Sequence, residues 1–150
     1  MAKKKIAVLF GGASSEHEIS LISAYSVLTN IPEDKYEVTC IGITKKGHWM
    51  YYPGEYEQIK TGEWENNPDC CTAVISPDSL NKGIIVMGAD GAYIRRVDAV
   101  FPVLHGANGE DGTVQGLCTL AGLPCVGCDM TSSAVCMDKS ITHTILDAAG

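Results

Sequence analysis

An unbroken apolar run, Ile6 to Phe10, follows a basic tail and stops at Gly11-Gly12. A strand covered on both faces reads this way. From Ser15 to about Asn30 the period changes. Ile19, Ile22, Val27 and Leu28 recur near helical spacing and predict the buried face of a helix that Pro32 closes. The β-branched segment YEVTCIGIT, 36–44, predicts a second strand, and KKG at 45–47 turns it back into HWMYY as a hairpin. Residues 53–72 mix aromatic, polar, proline and glycine residues without a period and predict no element. TAVIS (72–76) and GIIVM (83–87) read as short strands, and Gly88 to Gly91 joins the second to AYIRRV as another hairpin. DAVFPVL, 98–104, reads as a buried strand, with Pro102 near its end. A helix from Thr113 to Ala121, stopped by Gly122 and Pro124, leads to a short strand at Cys125-Val126. A single helix then runs from Thr131 to Ala149 along Ala134, Met137, Ile141, Ile145 and Ala148. Strands alternating with helices predict an α/β fold: a mainly parallel, Rossmann- or flavodoxin-like sheet flanked by helices, with hairpin insertions.

Chemistry concentrates in two loops, each following an apolar strand. In the first, GGASSEHEIS at 11–20, the glycines allow a tight turn and close approach of a ligand. Ser15 and Glu18 fit a capping box, which leaves Glu16 in the first helical turn, where the helix dipole favours an anion. Helix-end stabilisation alone would also explain these carboxylates. The glycine pair is not a full dinucleotide fingerprint. In the second loop, His105 leaves a buried strand and is followed by GANGEDG, with Asp111 as the expected N-cap of the next helix. His105 reads either as a core histidine bonded to backbone or as a ligand-binding group. Lys139, on the last helix, reads from composition as a solvated charge. Loops of this kind at the carboxyl ends of strands form small-molecule sites.

At 150 residues the chain is long enough for one domain and the entry to another, and its ending LDAAG reads as a capped helix from which more chain continues. Eleven basic against 18 acidic residues give a net charge of −7, which argues against nucleic acid as a partner. No apolar stretch reaches the roughly 20 residues of a membrane span, and the run after Lys3 to Lys5 is too short for a signal peptide, so a cytoplasmic location is expected. Seven scattered cysteines predict reduced thiols, with Cys40, Cys118 and Cys136 as small core residues. Cys125-x-x-Cys128 raises a zinc or redox reading, but lacks a second close-spaced ligand pair or a helix start between its cysteines.

FGGASSEHEIS (10–20), FPVLHGANGEDGTVQGL (101–117) and AGLPCVGCDMTSSAVCMDK (121–139) together resemble the D-alanine–D-alanine ligase family. IGITKKGHWMYY is similar to its larger members, including glycopeptide-resistance ligases of the D-Ala–D-Ser/D-Ala type. The resemblance implies a substrate domain of the pre-ATP-grasp kind at 1–128, with 129–150 as a linker helix entering a central ATP-grasp domain. The implied reaction joins two D-amino acids for peptidoglycan precursors. ATP phosphorylates the first carboxylate, and the second amine then displaces phosphate, with Mg2+ at the ATP phosphates. On the same grounds Glu16 holds the first substrate's ammonium group as the catalytic carboxylate. His105, with Gly106, lies near that substrate's carboxylate, and Lys139 lies near the ATP phosphates. The serine and tyrosine that complete the family's substrate triad, and the metal carboxylates, fall after Gly150. A homodimer, with apolar surface contributed by the N-terminal helices, is also implied. Two other readings stay open on the residues alone: a standalone flavodoxin-like binding module and a thiol–metal domain.

Overall fold

The computed structural model describes residues 2–150. Seven strands form one sheet in the order β6-β5-β4-β3-β2-β1-β7. They are β1 (Lys4–Gly11), β2 (Tyr36–Ile43), β3 (Trp49–Tyr52), β4 (Cys71–Ile75), β5 (Gly83–Gly88), β6 (Gly91–Arg96) and β7 (Ala99–Pro102). The helices are α1 (His17–Asn30), α2 (Tyr56–Thr61), α3 (Thr113–Leu120), α4 (Met130–Met137) and α5 (Lys139–Ala149), with a 3-10 turn at Glu63–Asn66.

The apolar run in β1 is buried throughout, and its alternate side chains enter two different cores. Ala7 and Leu9 pack with Ile41, Val100 and the α3 residues Val114 and Cys118. Ile6, Val8 and Phe10 face the other way, onto Leu21, Ala24 and Leu28 of α1. A strand sandwiched between helices has no solvated face to mark with polar residues.

The sheet is α/β and flanked by helices, but it is mixed rather than mainly parallel. Parallel pairing is confined to β7–β1–β2 and a bridge between Val100 and Cys125. From β2 to β6 the strands run as an antiparallel meander. At β2–β3 and β5–β6 tight hairpin turns reverse the chain, whereas a parallel return needs a crossover of a dozen residues or more; β3 and β4 are antiparallel although a longer connection, carrying α2 and the 3-10 turn, joins them.

The buried face of α1 also differs from the expected one. His17, Ser20, Leu21, Ala24 and Leu28 are buried, while Ile19 and Ile22 are 53% and 54% exposed. The helix is turned so that two polar side chains meet backbone groups at the strand ends. Ser20 Oγ accepts from Gly11 N–H at 2.8 Å and donates to the carbonyl of Val103. Nor does the expected capping box form. Glu18 pairs with Lys45 on the β2–β3 turn, which holds its carboxyl below the ordinary value, and Ser14 Oγ instead accepts from Glu16 N–H at 3.1 Å.

Residues 53–72, which predicted no element, form α2 and the 3-10 turn and supply the largest fully buried side chain, Trp64. Its ring meets Phe10 edge-on at 5.0 Å and Tyr52 at 6.3 Å. The final helix is broken in two. Asp138 has extended backbone and caps α5 by accepting from Ser140 and Ile141 N–H, so α4 ends there. An aspartate competes well for such a cap position and poorly for a helix interior. Cys136, expected in the core, is exposed on α4. Cys40 and Cys118 are buried as expected, and burial pushes the Cys40 thiol up to about 12.

Candidate active site

Loop 1 (11–16) and loop 2 (103–112) leave the carboxyl ends of adjacent parallel strands, β1 and β7. The first leads to α1 on one face of the sheet, and the second leads to α3 on the other. Divergence of this kind opens a crevice at the strand ends, the usual place for ligands in such sheets.

Gly106 is buried at a φ of +71°, a conformation that favours glycine. A Cβ there would lie 2.6 Å from Glu16 Oε2 and 2.7 Å from Ser14 Oγ. Loop 1 thus lays its carboxylate directly against the backbone of loop 2. Glu16 itself is exposed, and its side chain makes no cap to its own helix. The next residue, His17, is buried and ties the same loop down. Because the Gly12 carbonyl oxygen can only accept, the ring Nδ1–H donates to it at 2.8 Å, while Nε2 stands 3.8 Å from Glu65.

His105 is half-buried. Its Nε2 lies 3.1 Å from Ser23 Oγ on α1, and its Nδ1 lies 4.0 Å from Glu110 Oε1. The other Glu110 oxygen accepts from Gly106 N–H at 2.7 Å. Asp111 is not the N-cap residue of α3, a position taken by Gly112. Its carboxylate instead closes the loop, accepting from Asn108 N–H at 2.8 Å and Thr113 N–H at 3.0 Å. Burial opposes ionisation of Asp111, but those donors hold its carboxyl below the ordinary value.

His105 lines a largely apolar cavity of about 300 Å³ with Gly12, Ala13, Trp49, Leu104 and Val114. Glu16 is not in that wall and faces Gly106 instead. Lys139 is exposed at the first position of α5 and joins none of these contacts among the described residues. The seven cysteines are free thiols, and no group of three or more His, Cys, Asp or Glu among the described residues could hold a metal ion. Cys125 is half-buried and packs against the core cluster that contains Cys118. The neighbouring Cys125 thiol and burial push the Cys118 thiol above its ordinary value.

Ser14, His17, Ser20 and Ser23 carry much of this geometry and were not singled out from the sequence. A usable signal was present: Glu16, Ser20 and Ser23 are spaced i, i+4, i+7 and so share one helix face.

The family described as D-ala D-ala ligase N-terminus matches residues 5–128. The chain belongs to that family. The D-alanine--D-alanine ligase of Thermoanaerobacter sp. is 52% identical to it over 100% of the chain and 41% of the relative. Among solved structures, the VanG D-Ala:D-Ser ligase from Enterococcus faecalis superposes with a TM-score of 0.93 at 48% identity, over 99% of this chain and 43% of that one. A D-alanine--D-alanine ligase from Bacillus anthracis, described as complexed with ATP, matches at a TM-score of 0.60 and 27% identity over 98% of this chain and 37% of that one. The chain therefore spans about two-fifths of the length of the ligases it matches. It corresponds to their N-terminal domain, and no helix among its described residues is long and apolar enough to cross a membrane.

Gly106→Ala tests the contact between the loops directly. The added methyl group must displace the Glu16 carboxylate in a backbone conformation unsuited to alanine. On the reading proposed below, the full-length protein should lose most of its activity, about tenfold or more, for a carboxylate moved by an ångström. Circular dichroism that stays native, combined with lost turnover, is the expected pair of readings; unchanged turnover would count against the contact.

Proposed function

We propose that this chain is the first-substrate domain of an ATP-dependent ligase that joins two D-amino acids. The observation that carries the reading is the Glu16 carboxylate held against the Gly106 turn, next to His105, at the ends of two adjacent strands. A carboxylate suits the ammonium end of an amino acid, and an imidazole N–H suits its carboxylate end. In the proposed reaction the first substrate's carboxylate oxygen attacks the γ-phosphorus of ATP, giving an acyl phosphate and ADP. The amine of the second substrate, D-alanine or D-serine, then attacks the acyl carbon. Phosphate leaves with the bonding electron pair, the amine loses a proton, and the peptide bond is made.

In this reading residues 1–128 form the substrate domain, and 129–150 lead into a central ATP-binding domain, with Lys139 directed to the ATP phosphates. The described residues offer no ligand set for Mg2+, so no step is assigned to that ion here. The location is cytoplasmic, where ATP is available, and the protein is a homodimer to which exposed Ile19 and Ile22 contribute apolar surface.

The test is phosphate release from ATP by the full-length protein, with and without D-alanine. Release that depends on D-alanine, with a dipeptide product, is the expected result, and the 150-residue chain alone releases none. Release independent of any D-amino acid would defeat the reading.

A further inference from the structure

We propose that Ser23 is a positioning residue for His105: its hydroxyl selects the ring tautomer that leaves Nδ1–H open to the first substrate's carboxylate. The inference rests on the site reading above and adds a residue to it.

Glu16, just ahead of α1, and two serines on the same face of that helix reach the same short segment of loop 2. Glu16 meets Gly106, Ser20 donates to the carbonyl of Val103, and Ser23 meets His105. Serine inside a helix is a poorer choice than alanine, and its hydroxyl commonly turns back to a carbonyl of its own helix. Thr29 does that here, bonding Tyr25 O at 2.8 Å. Ser20 and Ser23 do not. Both reach across the sheet end to residues more than 80 positions away. The helix is thereby fixed along the strand end that carries His105, from three successive points.

The hydrogens follow from the neighbours. Glu110 Oε1 can only accept and lies 4.0 Å from Nδ1, so the ring proton belongs on Nδ1 and Ser23 O–H donates to Nε2. The opposite tautomer would turn a lone pair toward that carboxylate. A separation of 4.0 Å exceeds hydrogen-bonding reach, so Nδ1–H remains available to a closer acceptor. The carboxylate of an amino acid whose ammonium group sits on Glu16 is such an acceptor. Ser20 supports this arrangement by joining the end of β1, through Gly11 N–H, to Val103 two residues before His105.

The experiment uses the full-length ligase that carries this chain. Nitrogen-15 NMR of histidine-labelled protein, assigned with His105→Gln, should show His105 as the Nδ1–H tautomer; an Nε2–H ring would overturn the proposal. Ser23→Ala should give a mixed or reversed tautomer and raise KM for the first D-amino acid about tenfold, the effect of one well-placed hydrogen bond, with kcat changing less. Ser23→Thr keeps the hydroxyl and should restore both readings. Ser23 is only half-buried, so thermal unfolding of the alanine variant should stay near wild type. An unchanged tautomer and KM in Ser23→Ala, alongside a raised KM in a Glu16→Gln control, would overturn this inference alone. If the Glu16→Gln control were also without effect, the site reading beneath it would fall instead.

Discussion

Glu16→Gln in the full-length protein should, on the proposed function, lower kcat/KM for the first D-amino acid by about 10- to 100-fold. Glutamine keeps the shape and one acceptor oxygen but removes the charge that an ammonium group requires. Hydrogen bonds to charged groups contribute about 1.5–3 kcal/mol, and each 1.4 kcal/mol is tenfold. The change should appear in KM for the first substrate while binding of ATP in its absence is unaltered. Because Glu16 is exposed and caps nothing, the same substitution should leave stability within about 0.5 kcal/mol of wild type. Steady-state kinetics with the first substrate varied, together with a thermal melt, checks both halves. A large drop in melting temperature would mean that the carboxylate serves the fold and not the ligand.

Trp64→Ala should destabilise the chain by about 3–5 kcal/mol, the range for truncating a fully buried large aromatic. Trp64 is completely enclosed, held edge-on by Phe10 and Tyr52, and it occupies space that β2 leaves free at Gly42. A Cβ on Gly42 would lie 2.3 Å from the indole ring. Lost contacts and an aromatic-sized cavity are therefore the expected consequences. One feature moderates the loss: the indole Nε1 is buried without a hydrogen-bond partner among the described residues, so truncation also removes an unsatisfied donor. Chemical denaturation gives the value directly, and a change below about 1 kcal/mol would contradict the packing described.

Much of this was legible in the residues. The strand at 5–10 could be read because a two-sided core leaves nothing polar in its run, and both hairpins could be read from their turn residues. Glu16 and His105 were singled out by their place in loops after apolar strands, with helix-end and core-histidine readings left open, and their roles came from the family resemblance. Other features were hidden for identifiable reasons. The face of α1 was misjudged because Ser20 and His17 are buried for their hydrogen bonds, which a hydrophobic pattern does not register. Trp64 lies in a segment with no period, because α2 and the 3-10 turn are too short to show one. The antiparallel half of the sheet was visible as separate hairpins, but not as a meander continuous with β1. At Asp138 an apparently continuous helical pattern concealed a cap, since α4 and α5 each continue the spacing on their own.

The bridge made by Ser20 bears on how the molecule can move. Gly11 and Val103 share one hydroxyl, and the same helix also touches Gly106 and His105. Loops 1 and 2 therefore cannot separate without breaking buried polar contacts, so this half of the crevice behaves as a stiff plate.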